Sequence, residues 1–389
     1  MTIEKRSLTN ARVARLPASG IRKYFDLAAT LEGAISLGVG EPDFVTPDAF
    51  RDAAVRSIRD GKTQYTSNYG LLALREAIAA HTERMHGVSY APVGEILVTV
   101  GVSEAVDLAL RSTLNEGDEV IVADPSYVAY LPAIILAGGV PVPVPTLEAE
   151  EFRLTAAAVR AAITPRTRAI LLGFPNNPTG AVLTAEDVAG IAALAREHDL
   201  LVYADEIYDR LVYGVTHRSI LAESEMKERT VYLAGFSKSY AMTGWRVGYA
   251  CAPAEIIEQM MKIHQYTVMC VPTAAQYAAL EALRSGEAEV QRMVAEYDRR
   301  RVRMWERFNA MGLPCFEPRG AFYCFPNVTG TGLTDDEFCT RLLTEEKVVV
   351  VPGNAFGASG AGHIRACYAA SMERIDQACD RIERFVSRL

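Results

Sequence analysis

Thr167-Arg168-Ala169-Ile170-Leu171-Leu172 is followed by Phe174-Pro175-Asn176-Asn177-Pro178-Thr179-Gly180, then a helical pattern from Ala185 to His198, then Leu200-Leu201-Val202-Tyr203. The first and last runs are short, apolar and partly β-branched, so each reads as a buried strand. The proline- and asparagine-dense segment between the first strand and the helix is a stop signal. Two strands joined through a helix are parallel neighbours with the helix laid over one face. The pattern repeats on both sides. Ile96-Leu97-Val98-Thr99-Val100 turns at Gly101 into a helical stretch, Val102 to Leu114, with Val106, Leu110 and Leu114 on one face and Glu104 in the first turn. Glu119-Val120-Ile121-Val122 ends at Asp124-Pro125, and Thr230 to Leu233 and Val247 to Ala250 add further strands. The prediction is an α/β fold, a mostly parallel sheet with helices on both faces. In such sheets ligands bind beyond the carboxyl ends of the strands. The residues there are Gly101 to Ser103, Pro125 to Tyr127, Asn177, Asp205 and Lys238.

The last hundred or so residues change character. Glu287 to Met311 is a charged helical stretch with Met293, Tyr297, Met304 and Phe308 on one face. Short strand candidates follow at Phe322 to Phe325, Val348 to Val351 and Ile364 to Tyr368, then a closing helix from Met372 to Leu389. This reads as a smaller α+β domain. Val140 to Pro145 reads as a local extended segment. A chain of 389 residues divides into roughly two or three units. The net charge of −8 and the lack of a basic run exclude a nucleic-acid footprint. No apolar run approaches the roughly 20 residues that span a bilayer. Seven scattered cysteines with no paired spacing and six dispersed histidines suggest free thiols and no metal site.

Ser237-Lys238 precedes Met242-Thr243-Gly244-Trp245-Arg246-Val247-Gly248. Lysine is the side chain whose amine condenses with an aldehyde, and arginine grips a phosphate with its planar fork. Together they fit a ligand that carries both groups. Val102 and Ser103 open a helix after a glycine, where backbone N–H groups suit an anion; Ser103 equally suits a plain helix start. Asp205 fits either a carboxylate against a cationic ligand atom or a helix N-cap. Asn177 stands in a segment that a turn alone would explain.

In these residues the chain resembles the class I and II aminotransferases, of the aspartate and aromatic aminotransferase type, from Gly38-Val39-Gly40-Glu41-Pro42-Asp43-Phe44 to His363-Ile364-Arg365. The resemblance implies a seven-stranded-type sheet and pyridoxal 5'-phosphate as cofactor. It implies Lys238 holding the cofactor aldehyde and its freed amine carrying the substrate Cα proton, and Asp205 facing the ring nitrogen. Asn177 and Tyr208 serve the ring's phenolic oxygen, and Tyr127 stacks on the ring. Val102, Ser103, Ser237 and Arg246 form the phosphate cup. Many relatives carry a serine three positions before the lysine, where this chain has Gly235. Arg365 and Gly40 are the implied clamp for the substrate α-carboxylate. Tyr65 is the tyrosine implied to reach the neighbouring subunit's phosphate, which makes a homodimer with shared active sites. Arg22, near the N-terminal arm, is a candidate second arginine; Tyr24, Tyr69, Tyr266 and Phe356 are candidate pocket aromatics, and Asn354 to Gly357 a mobile loop. The expected division is an N-terminal arm and part of the small domain over 1–47, a large cofactor domain over 48–286 and a small C-terminal domain over 287–389. The activity implied is ping-pong transamination between an α-amino acid and a 2-oxo acid in the cytoplasm. A C–S β-lyase on the same residues, and a ligand-binding effector module, are the alternatives.

Overall fold

The computed structural model describes residues 8–14, 16 and 32–389. Among them the strands are β1 (Ile35–Ser36), β2 (Ile96–Thr99), β3 (Glu119–Asp124), β4 (Val140–Pro145), β5 (Thr167–Gly173), β6 (Leu201–Asp205), β7 (Thr230–Gly235), β8 (Gly248–Cys251), β9 (Tyr323–Cys324), β10 (Val348–Val349), β11 (Val351–Pro352) and β12 (Ile364–Cys367). A seven-stranded sheet runs β2-β8-β7-β6-β5-β3-β4. All neighbours are parallel except β8, which is antiparallel to both β2 and β7. This is the mostly parallel sheet expected; the direction of β8 follows from the short 236–247 connection, which has no crossover α-helix and so returns the chain antiparallel.

Both faces of the sheet are buried, which is why its strands read as unbroken apolar runs. Val120, Val122, Ala169, Leu171, Val231 and Leu233 pack on one side with helix Gly101–Thr113, while Ile121, Ile170, Leu172 and Val202 pack on the other with helix Ala185–Glu197. The extended segment Val140 to Pro145 is the edge strand β4, parallel to β3. Pro141, Pro143 and Pro145 alternate along it, so the positions without an N–H donor face away from β3 and cost the ladder nothing.

A second core gathers Ile35 and Leu37 with Met293, Tyr297, Met304, Phe308, Phe322, Leu342, Ile364 and Ile382. The four residues predicted as the apolar face of helix Glu287–Ala310 are all within it. The single strand predicted over Val348 to Val351 is two strands: β10 pairs with β1, and β11 belongs to a three-stranded sheet with β12 and β9. One buried apolar run gives no periodic mark of such a change of partner. The Gly353–Phe356 turn is fastened, because Asn354 donates from its backbone N and Nδ2 to Asp335 and Asp336 at 2.8 and 2.6 Å. Among the described residues no helix is long and apolar enough to cross a membrane, and no group of three or more His, Cys, Asp or Glu is placed to hold a metal.

Candidate active site

The carboxyl ends of β3, β5, β6 and β7 open onto a cavity of about 540 Å³. At one end of it the backbone is drawn unusually tight. Gly101 has φ +73°, and a Cβ there would lie 2.4 Å from Arg246 Nη2. On β8 a Cβ at Gly248 would stand 2.6 Å from the Val102 nitrogen. The two glycines therefore let Arg246 reach the start of helix Gly101–Thr113. Arg246 is itself left-handed at φ 54° and donates to the Thr243 carbonyl at 3.0 Å. Val102, Ser103, Ser237 and Arg246 all line this end. The Gly235 departure has a packing reason: a Cβ there would meet Gly248 Cα and Val102 Cγ2 at 3.0 Å each. No hydroxyl comes from that position, and the buried Ser237 stands on the cavity wall instead.

Asp205 is the last residue of β6 and is buried. The sequence suggested a strand ending two residues earlier with a possible helix beyond; the chain instead continues in turns, so Asp205 is not a helix cap. Its Oδ1 accepts from the Ile207 N–H at 3.2 Å and its Oδ2 from the Tyr130 hydroxyl at 2.8 Å. No basic side chain pairs with it among the described residues. Burial pushes its pKa up to about 6. Tyr208 lines the same cavity and is buried, its hydroxyl 2.8 Å from that of Tyr323, and burial raises its pKa well above the ordinary phenol value. Tyr127, whose pKa is also raised by burial, packs edge-on to Tyr130 at 5.4 Å.

Lys238 is the one lysine on the cavity wall among the described residues. Its Nζ donates to the Gly40 carbonyl at 2.6 Å and lies 5.6 Å from the centre of the Phe322 ring. Burial lowers its pKa from 10.5 to about 8, and the positive Arg365 and Arg246 act in the same direction. Between about 8 and 10.5 the unfolded chain holds a proton that the folded chain has lost, so stability rises with pH through that window. In the cofactor-free protein, Lys238→Met is expected to be more stable than the parent at pH 7, by on the order of 1–2 kcal/mol, with the gap closing towards pH 10. Denaturant midpoints across that range check it; a gap independent of pH would contradict the assigned shift.

Arg365, on β12, is buried at the far end. Its guanidinium lies between the Tyr323 and Phe356 rings, 4.6 and 4.7 Å from their centres. Nη1 donates to Asn177 Oδ1 at 2.8 Å and Nη2 to the Gly38 carbonyl at 2.6 Å, while Nε has no partner among the described residues. Gly40 is close by, and a Cβ there would be 2.2 Å from the Tyr323 hydroxyl oxygen.

The family described as aminotransferase class I and II matches residues 32–382. The chain belongs to the class I and II aminotransferases. Aromatic-amino-acid aminotransferase 2 of Thermococcus litoralis is 46% identical over 376 residues, covering 96% of this chain and 97% of that protein. An aspartate aminotransferase of Pyrococcus abyssi is 47% identical over 369 residues, covering 94% and 95% respectively. The crystal structure of an aspartate aminotransferase from Thermotoga maritima matches with a TM-score of 0.93 at 39% identity, over 97% of this chain and 100% of that one. These relatives favour an aminotransferase over the lyase alternative.

In this aminotransferase the cavity brings together Gly40, Val102, Ser103, Tyr127, Asn177, Asp205, Tyr208, Ser237, Lys238, Arg246 and Arg365. It does not include Tyr65, which is 81% exposed, nor Tyr69 or Tyr266. Phe356 acts from behind Arg365 and does not line the cavity. Arg22 and Tyr24 lie outside the described residues. The sequence reading missed Tyr130, Tyr323, Glu41 and Thr243 on the same wall. Tyr130 carried no sequence signal, since it opens a short helix and meets Tyr127 only through the fold.

Proposed function

We propose that this aminotransferase moves an amino group from an α-amino acid to a 2-oxo acid by a ping-pong sequence, using pyridoxal 5'-phosphate. The observation that carries the reading is one buried lysine amine on the same cavity wall as a buried carboxylate that no protein cation neutralises. A buried charge of that kind needs a partner, and a cationic ring nitrogen supplies it. The glycine-cleared corner around Arg246 suits a phosphate: a helix start, two serine hydroxyls and a guanidinium fork face one space. These residues fit the cofactor.

Val102, Ser103, Ser237 and Arg246 then hold the phosphate, Asp205 the ring nitrogen, and Asn177 and Tyr208 the phenolic oxygen, with Tyr127 on the ring face. Bound there, the cofactor supplies an aldehyde that captures amines and a ring that draws electrons from the substrate Cα. Arg365 takes the α-carboxylate in two parallel hydrogen bonds, with Gly40 beside it. Lys238 moves the proton. A pKa of about 8 leaves part of its Nζ as free base near neutral pH, able to take the Cα proton and give it back.

Tyr65 stands exposed and apart from the cavity, as a residue that serves a neighbouring copy would, which supports a homodimer with shared sites. Seven free cysteines support a reducing, cytoplasmic setting. The two cores support a division into a large domain over 48–286 and a small domain over 287–389, with residues 1–47 an N-terminal arm and part of the small domain, since Ile35 and Leu37 pack in the small-domain core.

Each half of the ping-pong sequence can be run alone. With an amino acid and no 2-oxo acid, the loaded enzyme is expected to release 2-oxo acid up to about one equivalent per site and then stop. Adding a second 2-oxo acid restarts it. Continuous release of ammonia without an acceptor would overturn the reading in favour of a lyase.

A further inference from the structure

Tyr130 opens helix Tyr130–Leu136 and is buried, its backbone N–H bonded to the Tyr127 carbonyl at 3.0 Å. Its side chain crosses the end of β5 and delivers its hydroxyl to Asp205 Oδ2 at 2.8 Å. The crossing depends on Gly173, the last residue of β5, where a Cβ would lie 2.5 Å from the Tyr130 hydroxyl oxygen. The Tyr127 ring, edge-on at 5.4 Å and 84°, holds Tyr130 from the other side. Three elements thus converge to place one phenol on one carboxylate oxygen.

We propose that Tyr130 is a positioning residue for the cofactor, holding Asp205 ionised and aimed at the ring nitrogen. This rests on the pyridoxal phosphate reading above. An ionised carboxylate only accepts hydrogen bonds, so it uses both donors that face Asp205, the phenol on Oδ2 and the Ile207 N–H on Oδ1. Each donor stabilises the charged form against the burial that opposes it. With one donor on each oxygen the carboxylate plane is fixed from two sides, and its remaining lone pairs are free for a ligand. The phenol stays a donor across the working range, because burial and the neighbouring Asp205 charge hold its own proton well above the ordinary value. The role is distinct from that of Tyr127, whose face covers the ring, and from that of Tyr208, whose hydroxyl is bonded to Tyr323.

The test compares two cofactors on the folded, cofactor-free protein: pyridoxal 5'-phosphate, and its 1-deaza analogue, in which a carbon replaces the ring nitrogen. Tyr130→Phe is expected to weaken binding of pyridoxal phosphate about tenfold, the usual effect of one hydrogen bond to a charged group. The same variant should bind the deaza analogue as the parent does, because that ligand gives Asp205 nothing to hold. Gly173→Ala, which drives the hydroxyl off Asp205 while keeping the phenol, should reproduce the pattern. A merely structural role for Tyr130 would weaken both ligands alike, and that result, or no weakening of either, overturns the proposal. Parent protein that binds the two cofactors equally would instead overturn the pairing of Asp205 with the ring nitrogen, and the proposal with it.

Discussion

Lys238→Ala is expected to abolish amino transfer, with a loss of at least about 10⁴-fold in kcat, because one residue is removed from two tasks. Under the proposed function the amine both holds the cofactor and carries the Cα proton. No second lysine lines the cavity among the described residues, so no neighbour can take over either task. The cavity's other bases are unsuited to the proton. Asp205 is committed to Tyr130 and Ile207, Glu41 accepts from the Thr243 hydroxyl, and the buried Tyr208 holds its proton too tightly. The variant should nevertheless fold, since the side chain makes one hydrogen bond, to the Gly40 carbonyl. The check is steady-state turnover beside a circular dichroism spectrum: inactive and native-like is the expected pair. Turnover resembling the parent would remove Lys238 from the mechanism.

Arg365→Lys is expected to raise KM for amino acid and 2-oxo acid together, by about a hundredfold, with a smaller effect on kcat. The shared rise follows from the shared group, since both substrates carry the same carboxylate. Lysine keeps the charge and loses the geometry. Its ammonium is a point donor that cannot make two parallel bonds to a carboxylate, nor fill the slot between two rings where the planar guanidinium lies. It also cannot reach Asn177 and Gly38 together as the two guanidinium nitrogens do. Separate titrations of each half-reaction measure the two KM values. A change confined to one substrate, or none, would move the carboxylate clamp elsewhere.

The sheet was legible because strands buried on both faces are apolar without interruption and each is followed by a helix pattern or a turn cluster, as Thr167 to Tyr203 illustrates. Its ligand-facing positions were legible for the same reason, since they follow directly after strand ends. What stayed hidden depends on contacts between segments far apart in the chain. The antiparallel β8 and the split of Val348 to Val351 are choices of pairing partner, which a local run does not record. Val140 to Pro145 read only as an extended segment because prolines are poor strand formers, and it forms a strand because an edge leaves their missing donors unneeded. Tyr130 reaches Asp205 across 75 positions and Tyr323 reaches Tyr208 across 115, through glycines at 173 and 40 whose small size matters only once the fold is known.

The central claim concerns one amine, and a covalent trap tests it most directly. The protein is loaded with pyridoxal phosphate, reduced with borohydride so that the cofactor is fixed to whichever lysine holds it, and digested for mass spectrometry. The account predicts one stoichiometric label, on the peptide that contains Ser237-Lys238. A label on another lysine, or protein that takes up no cofactor, would contradict it.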